Sequence, residues 1–349
     1  MKIFWIVFTT ILLLFLVFGI VFFISKNTKK VQSYNINQEN QAFVLSVEDE
    51  DLEKYEPTDS MSRFDKDAAY YDSQKLQNHA TLYANLVYNR VDKKDLAVDL
   101  YIPKNEELLA ELGKDKKWPL IIFVHGGGWD SGNENMLDPV YAVPRLVQNG
   151  FAVATLNYRL APKYKFPAPI DDLKLAIDYL KKNDSKYRID VEKIGLFGAS
   201  AGAHIASWVG LASDPSIGLD AVVSIAAPFD LEDPELLAQK KTLITNFLGR
   251  ASAESASPIN LISWDDPAFL LIHGDKDKDV PLSQSQKFYE ALKQKNVEAE
   301  LLVVKNGDHS LNSPSGNLEP VQKDIQNKIV KFFNLKILNE SEEQSSKIL

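Results

Sequence analysis

The chain has 349 residues, of which 45% are hydrophobic and 25% charged, with a formal net charge of −9 and no cysteine. That is enough apolar material for a sizeable core, in one large α/β domain or two smaller ones. The acidic balance, with no Lys/Arg cluster in the body of the chain, argues against a nucleic-acid surface, and the lack of cysteine excludes disulfides, thiolate metal sites, a cysteine nucleophile and a lipidated-cysteine anchor.

Residues 3–24, IFWIVFTTILLLFLVFGIVFFI, form an uncharged run of 22, and about 20 such residues span a bilayer. A cleavable signal has a shorter apolar core of ~7–15 residues and a small-residue cleavage site. Here Phe22, Phe23 and Ile24 run straight into SKNTKK. Residues 1–25 are therefore expected to be an uncleaved, single-pass transmembrane anchor. Lys26, Lys29 and Lys30 outnumber Lys2, which by simple counting holds the C-terminal side in the cytoplasm. An apolar run after one lysine is also how export signals begin, and large domains cross largely regardless of charge. The expectation is a domain on the extracytoplasmic side. Residues 26–75 are polar, with EDEDLE at 48–53, and read as a spacer with little core of its own. A globular domain is expected over 76–337 and a polar tail over 338–349.

Within the domain, LAVDLYIP (96–103), WPLIIFVHGGG (118–128, a buried strand running into glycines), FAVATLNY (151–158), KIGLFG (193–198), AVVSIAA (221–227), AFLLIHG (268–274) and AELLVVKNG (299–307) read as strands. PIDDLKLAIDYLKKN (169–183) reads as an amphipathic helix with Ile170, Leu173, Ile177 and Leu180 on one face, acids early and lysines late. Further helices are expected at 199–212, near 283–295 and at about 319–335. Alternating strands and helices imply right-handed crossovers and a mostly parallel sheet with helices on both faces. In such sheets the chemistry sits at the carboxyl ends of the strands.

GASAG at 198–202 matches G-x-S-x-G between a predicted strand and a predicted helix, the context of a nucleophile elbow. A serine hydroxyl needs a base. The chain has five histidines: His79, His125, His204, His273 and His309. In the elbow architecture the partners follow the serine in the order acid, then histidine. His273 precedes the candidate acids and reads as a strand-end residue that packs or hydrogen-bonds. His204 reads as structural, on the helix after the elbow. His309, in NGDHS, is the candidate base for Ser200. The acid lies in HGDKDKDVP (273–281), where Asp275, Asp277 and Asp279 compete and the need for an imidazole-orienting carboxylate does not choose among them. The HGGGW stretch at 125–129 follows a strand. Three glycines there let backbone amides face a reacting oxygen with no Cβ in the way. Gly127 and Gly128, with Ala201, are the candidate oxyanion-hole donors, and His125 the brace of their loop.

Together these residues resemble the α/β-hydrolase superfamily, and more closely the carboxylesterases of the acetyl-xylan/feruloyl esterase-like (BD-FAE) group, relatives of the hormone-sensitive-lipase type. The likeness runs over about residues 84–335 and includes LAVDLYIP, FVHGGGW, NYRLAPKYKFPAPIDD (157–172), YRIDVEKIGLFGASAGAHIA (187–206), LLIHGDKDKDVPLSQS (270–285) and VVKNGDHS (303–310). The family's His-Gly-x-x-Asp-x-x-Val-Pro pattern implies Asp277 as the acid, and its last turn implies His309 as the base. Ala203 stands where the elbow usually has a second glycine, and Asp308 adds a carboxylate beside His309.

The resemblance implies an α/β-hydrolase fold and a serine esterase acting through Ser200, His309 and Asp277, with no metal or cofactor. About 40 residues, 228–267, separate two predicted strands, room for a small lid. The expected substrate is a small-molecule or carbohydrate-linked ester with a short acyl group. An arylformamidase-like or peptide amidase on the same triad, and a non-catalytic membrane-anchored binding protein, are the competing expectations.

Overall fold

The computed structural model describes residues 33–37, 42–46, 79–111, 117–133, 142–212, 217–313, 316–339 and 341. The expected membrane anchor at residues 3–24 and the acidic stretch at 48–53 lie outside them. Among the described residues, no helix is long and apolar enough to cross a membrane.

Ten strands join in one sheet: β1 (Ser33–Asn37), β2 (Ala42–Ser46), β3 (Ala80–Val91), β4 (Lys94–Pro103), β5 (Trp118–Val124), β6 (Ala152–Leu156), β7 (Ile189–Ala199), β8 (Leu219–Ile225), β9 (Ala268–Gly274) and β10 (Ala299–Val304). Their order is β1-β2-β3-β4-β6-β5-β7-β8-β9-β10. The pairings from β6 to β10 are parallel, and β1 to β4 join antiparallel up to β6. The mostly parallel sheet is as expected. Two findings differ from the sequence reading. The segment read as a spacer contributes β1 and β2, and β3 precedes the first predicted strand. Asp92 and Lys93, which turn β3 into β4, both have positive φ, 49° and 64°. Such a two-residue turn matches the right-handed twist of the paired strands.

Six longer helices cover the sheet: α1 (Ala142–Gln148), α2 (Ala168–Lys182), α3 (Ala201–Leu211), α4 (Pro234–Leu248), α5 (Leu282–Gln294) and α6 (Gln322–Ile337). β5 shows why the sheet needs both layers. Leu120, Ile122 and Val124 join the core under α2 and α3, while Ile121 and Phe123 join the core under α1 and α6. Ile170, Leu173, Ile177 and Leu180 of α2 are all buried, as their spacing predicted. Each buried aliphatic side chain of this kind contributes ~1.5–3 kcal/mol.

The strand order turns back at β5, with β6 on one side and β7 on the other. Crevices for ligands open beside such a reversal, at the carboxyl ends of the strands. The loops after β5, β7, β9 and β10 carry HGGG, Ser200, Asp277 and His309 respectively.

Candidate active site

Ser200 is the single residue between β7 and α3, with φ 54° and ψ −121°. This positive-φ conformation is costly for a residue with a Cβ, by ~1–3 kcal/mol. The Ser200 amide donates to Ile225 O at 2.8 Å, which fastens the turn to β8. The flanking glycines are required by space. A Cβ on Gly198 would lie 2.6 Å from Ala203 N, and one on Gly202 would lie 2.0 Å from Val124 O and 2.3 Å from His125 O. Gly202→Ala is therefore expected to destabilise the fold by ~3 kcal/mol or more, since backbone must move to admit the methyl. Denaturant unfolding of the variant checks this. Ala203, the departure from the family pattern, is fully buried on α3 and continues the helix.

The structure brings Ser200, His309 and Asp277 into one hydrogen-bonded path. His309 Nε2 is 3.0 Å from Ser200 Oγ, and His309 Nδ1 is 2.8 Å from Asp277 Oδ2. Asp277 has a fully buried side chain. Its Oδ1 accepts the amides of Asp279 at 2.8 Å and Val280 at 3.0 Å. Burial pushes the Asp277 carboxyl up, but hydrogen bonds from His273 and His309, the charge of His309 and the Val280 amide outweigh it, so Asp277 is held well below the usual carboxylate range.

The competing acids are engaged elsewhere. Asp275 Oδ1 accepts the Asn306 amide at 2.6 Å. Asp279 is half-exposed and pairs with Lys240. Asp308 accepts the amides of Ser310 at 3.0 Å and Asn312 at 2.9 Å, shaping the turn that carries His309.

The HGGG loop abuts the elbow. A Cβ on Gly126 would lie 3.1 Å from Ala199 O and 3.5 Å from Ser200 Cβ. Gly127 and Gly128 have φ of 104° and 60°. Gly127 O accepts the amides of Asp130 at 3.1 Å and Ser131 at 3.0 Å, so the run is a tight turn as well as an open one. Among the described residues, no hydrogen bond takes up the amides of Gly127, Gly128 or Ala201. His125 braces the loop: its Nδ1–H donates to Gly126 O at 2.6 Å and its ring stacks on Tyr158 at 4.2 Å. Tyr158 OH donates to His125 O at 3.0 Å.

His204 is structural, as expected. Its Nε2–H donates to Ala256 O at 2.8 Å and its Nδ1 accepts Trp129 Nε1–H at 3.3 Å. Burial pushes its pKa down to about 4, so it is neutral at pH 7. In the NYRLAPKYKFPAPIDD stretch, Arg159 holds the buried Asp172 with its backbone amide at 2.8 Å and its Nε at 2.9 and 2.8 Å. That pair clamps the loop after β6 to the start of α2.

Sequence reasoning missed three contributors. Trp129 stacks on Phe247 of α4 at 4.5 Å. A Cβ on Gly128 would lie 2.9 Å from Leu243 Cδ2, so α4 packs over the glycine loop. His273 reaches the acid itself, with Nε2 at 3.1 Å from Asp277 Oδ2. Trp129 was signalled by its place beside the glycines. Leu243 had no local signal, because its contact depends on how the insert folds back. That insert, 228–267, read as room for a small lid, forms α4, non-helical at Lys240, with a short helix at Ala253–Ala256.

Asp277, Asp279 and His309 bring ligand atoms within 4.8 Å of one another. Both Asp277 oxygens already face N–H groups and Asp279 faces a lysine, so the set is built for hydrogen bonding rather than for a cation.

A strand–Ser–helix elbow on this sheet defines an α/β-hydrolase. The model of the BD-FAE family matches residues 98–292, more than half of the chain, and the chain belongs to that family. Esterase LipC of Mycobacterium tuberculosis is 33% identical over 201 residues, which cover 51% of this chain and 49% of that protein. Esterase LipQ of the same organism is 32% identical over 202 residues, 52% of this chain and 48% of that protein. The chain thus spans about half the length of these curated relatives. Among solved structures, a truncated carbohydrate esterase from gut microbiota shares the fold at TM-score 0.58 and 24% identity, covering 77% of this chain and 97% of that one. A bifunctional GH43-CE protein of Bacteroides eggerthii matches at TM-score 0.60 and 26% identity, over 73% of this chain and 35% of that one.

Proposed function

We propose that the chain is a serine carboxylesterase that cleaves short acyl esters through Ser200, His309 and Asp277. The observation that carries this reading is the unbroken path from Ser200 Oγ through His309 to Asp277, at 3.0 and 2.8 Å, beside a loop whose glycine amides are unspent. The names of LipC and LipQ, both called esterases, support it. Ser200 Oγ attacks the ester carbonyl while His309 Nε2 takes its proton. The amides of Gly127, Gly128 and Ala201 receive the developing oxyanion. The carbonyl–oxygen bond then breaks, with His309 protonating the departing alcohol. Water, deprotonated by His309, attacks the acyl carbon; the bond to Ser200 Oγ breaks, His309 returns the proton to that oxygen, and the acid leaves.

The close packing of Leu243 and Phe247 on the glycine loop and the small insert favour a short acyl group on a bulky alcohol, such as an acetylated sugar. Hydrolysis of p-nitrophenyl acetate, butyrate and octanoate by the full chain tests this. The expected result is a kcat/KM for acetate or butyrate ~10-fold or more above that for octanoate. Faster cleavage of long-chain triglyceride than of short esters overturns it.

A second reading, an aryl amidase on the same residues, draws on a relative named arylacetamide deacetylase from Oryctolagus cuniculus, 29% identical over 138 residues, 38% of this chain and 33% of that protein. Turnover of an aryl formamide or acetamide ahead of the matching ester selects it. The uncharged run at residues 3–24 supports a membrane anchor, and the hydrolase domain is read as lying outside because large domains cross largely regardless of the flanking lysines. Protease added to intact cells should remove the domain, and protection of the domain reverses the orientation.

A further inference from the structure

Asp277 is shared by two Ser–His pairs. The exposed pair is Ser200 and His309. The second is buried: His273 Nδ1 lies 2.7 Å from Ser285 Oγ, and His273 Nε2 lies 2.9 Å from Val280 O and 3.1 Å from Asp277 Oδ2. The side chains of His273 and Asp277 have zero exposure.

Resting on the esterase reading, we propose that His273, set by Ser285, is a positioning residue that fixes the acid loop and tunes the basicity of His309 through Asp277.

The tautomer follows from the partners. Val280 O and Asp277 Oδ2 can only accept, so His273 Nε2 carries the proton. His273 Nδ1 faces the Ser285 hydroxyl, which can act as donor or acceptor there. His273 is the penultimate residue of β9, so its Nε2–H ties the acid loop to the sheet. Val280 is gripped from both sides, its amide by Asp277 Oδ1 and its carbonyl by His273. A strand-end imidazole buried with two acceptors and one hydroxyl is more than packing requires.

The electrostatic consequence has a definite sign. Each N–H facing a carboxylate stabilises its charge and weakens its pull on a neighbouring cation. With His273 in place, Asp277 stabilises the His309 imidazolium less than it would alone. Removing that donor should raise the His309 pKa. The other groups facing Asp277 are the amides of Asp279 and Val280 from its own loop and His309 from the loop after β10. Of the acidic side chains on these two loops, Asp279 pairs with Lys240 of α4, Asp275 lies 3.4 Å from Lys276 and holds the Asn306 amide, and Asp308, beside His309, accepts the amides of Ser310 and Asn312.

The test follows His309 directly, in the detergent-solubilised full chain with labelled histidine, by an NMR pH titration of wild type, His273→Leu, His273→Gln and Ser285→Ala. This readout needs no turnover, so it stands even if the esterase reading fails. Wild type that hydrolyses no ester or aryl amide would sink that reading alone. His273→Leu is expected to move the His309 titration to higher pH, shift the acid limb of kcat/KM the same way and lower kcat ~10-fold or more. His273→Gln, which can place an amide N–H at the Nε2 position, should restore most of both. Ser285→Ala should give a smaller shift of the same sign, and it decides the matter if His273→Leu does not fold. A His309 titration unchanged in a folded His273→Leu, or in Ser285→Ala where that variant decides, overturns the proposal, as does equal loss in the Leu and Gln variants with an unmoved acid limb.

Discussion

Ser200→Ala is expected to lower kcat for short p-nitrophenyl esters by ~10⁶-fold while leaving the fold intact. The hydroxyl is the only atom removed. The elbow is held by the Ser200 amide on Ile225 O and by the space that Gly198 and Gly202 leave for backbone, and alanine keeps all of these. Alanine bears the same Cβ in the same left-handed conformation, so the strain is unchanged. What should survive is the contribution of the glycine-loop amides and substrate binding, ~10³–10⁴ over water. A burst-free residual rate, with unfolding midpoints matching wild type, is the expected pair of measurements. Retained turnover would remove Ser200 from the reaction. Wild type and variant equally inert on every ester and aryl formamide, with a partner still bound, would turn the reading to a non-catalytic scaffold.

The legible parts of this molecule were those where a local pattern has one physical use. The α2 stripe of Ile170, Leu173, Ile177 and Leu180 can only be a buried helix face, and all four are buried. Strand β9 was read residue for residue because AFLLI is a continuous apolar run and the segment stops at His273-Gly274; a Cβ on Gly274 would lie 2.2 Å from Gly307 O. Ser200 was legible because two glycines of the motif stand where no Cβ fits. Less legible was β3, whose ATLYANLVYNRV is only partly buried and bulged against β4. Its turn, Asp92-Lys93, lacks the glycine that usually announces a hairpin. The three aspartates of 275–279 were not separable by chemistry alone, since each is a carboxylate in one turn. What separates them is burial and the direction of each side chain, and the family pattern stood in for both. His273 was read as a strand-end residue. Its reach to Asp277 depends on the acid loop folding back over β9, which no local spacing encodes.

Asp277→Asn is expected to lower kcat by ~10⁴-fold. The neighbouring changes Asp275→Asn and Asp279→Asn should each stay within ~10-fold, because the first serves a turn amide and the second an exposed ion pair worth little. The argument for Asp277 is one of donors and acceptors. Its Oδ1 accepts two amides, and an asparagine keeps that arrangement only by turning its NH₂ toward His309 Nδ1. That NH₂ then demands a lone pair at Nδ1, which moves the ring proton to Nε2, where it faces Ser200 Oγ and can no longer receive the serine proton. The same NH₂ meets the His273 Nε2–H, so a buried donor pair is created as well. The pH dependence of stability gives a second readout. The folded Asp277 pKa is depressed, so its stabilising contribution is complete above the usual aspartate range near 4 and is lost as pH falls through and below it. Wild type should therefore lose more Tm between pH 6 and pH 3 than Asp277→Asn does. Equal acid sensitivity, or a comparable rate loss in Asp279→Asn, would move the acid of this site away from Asp277.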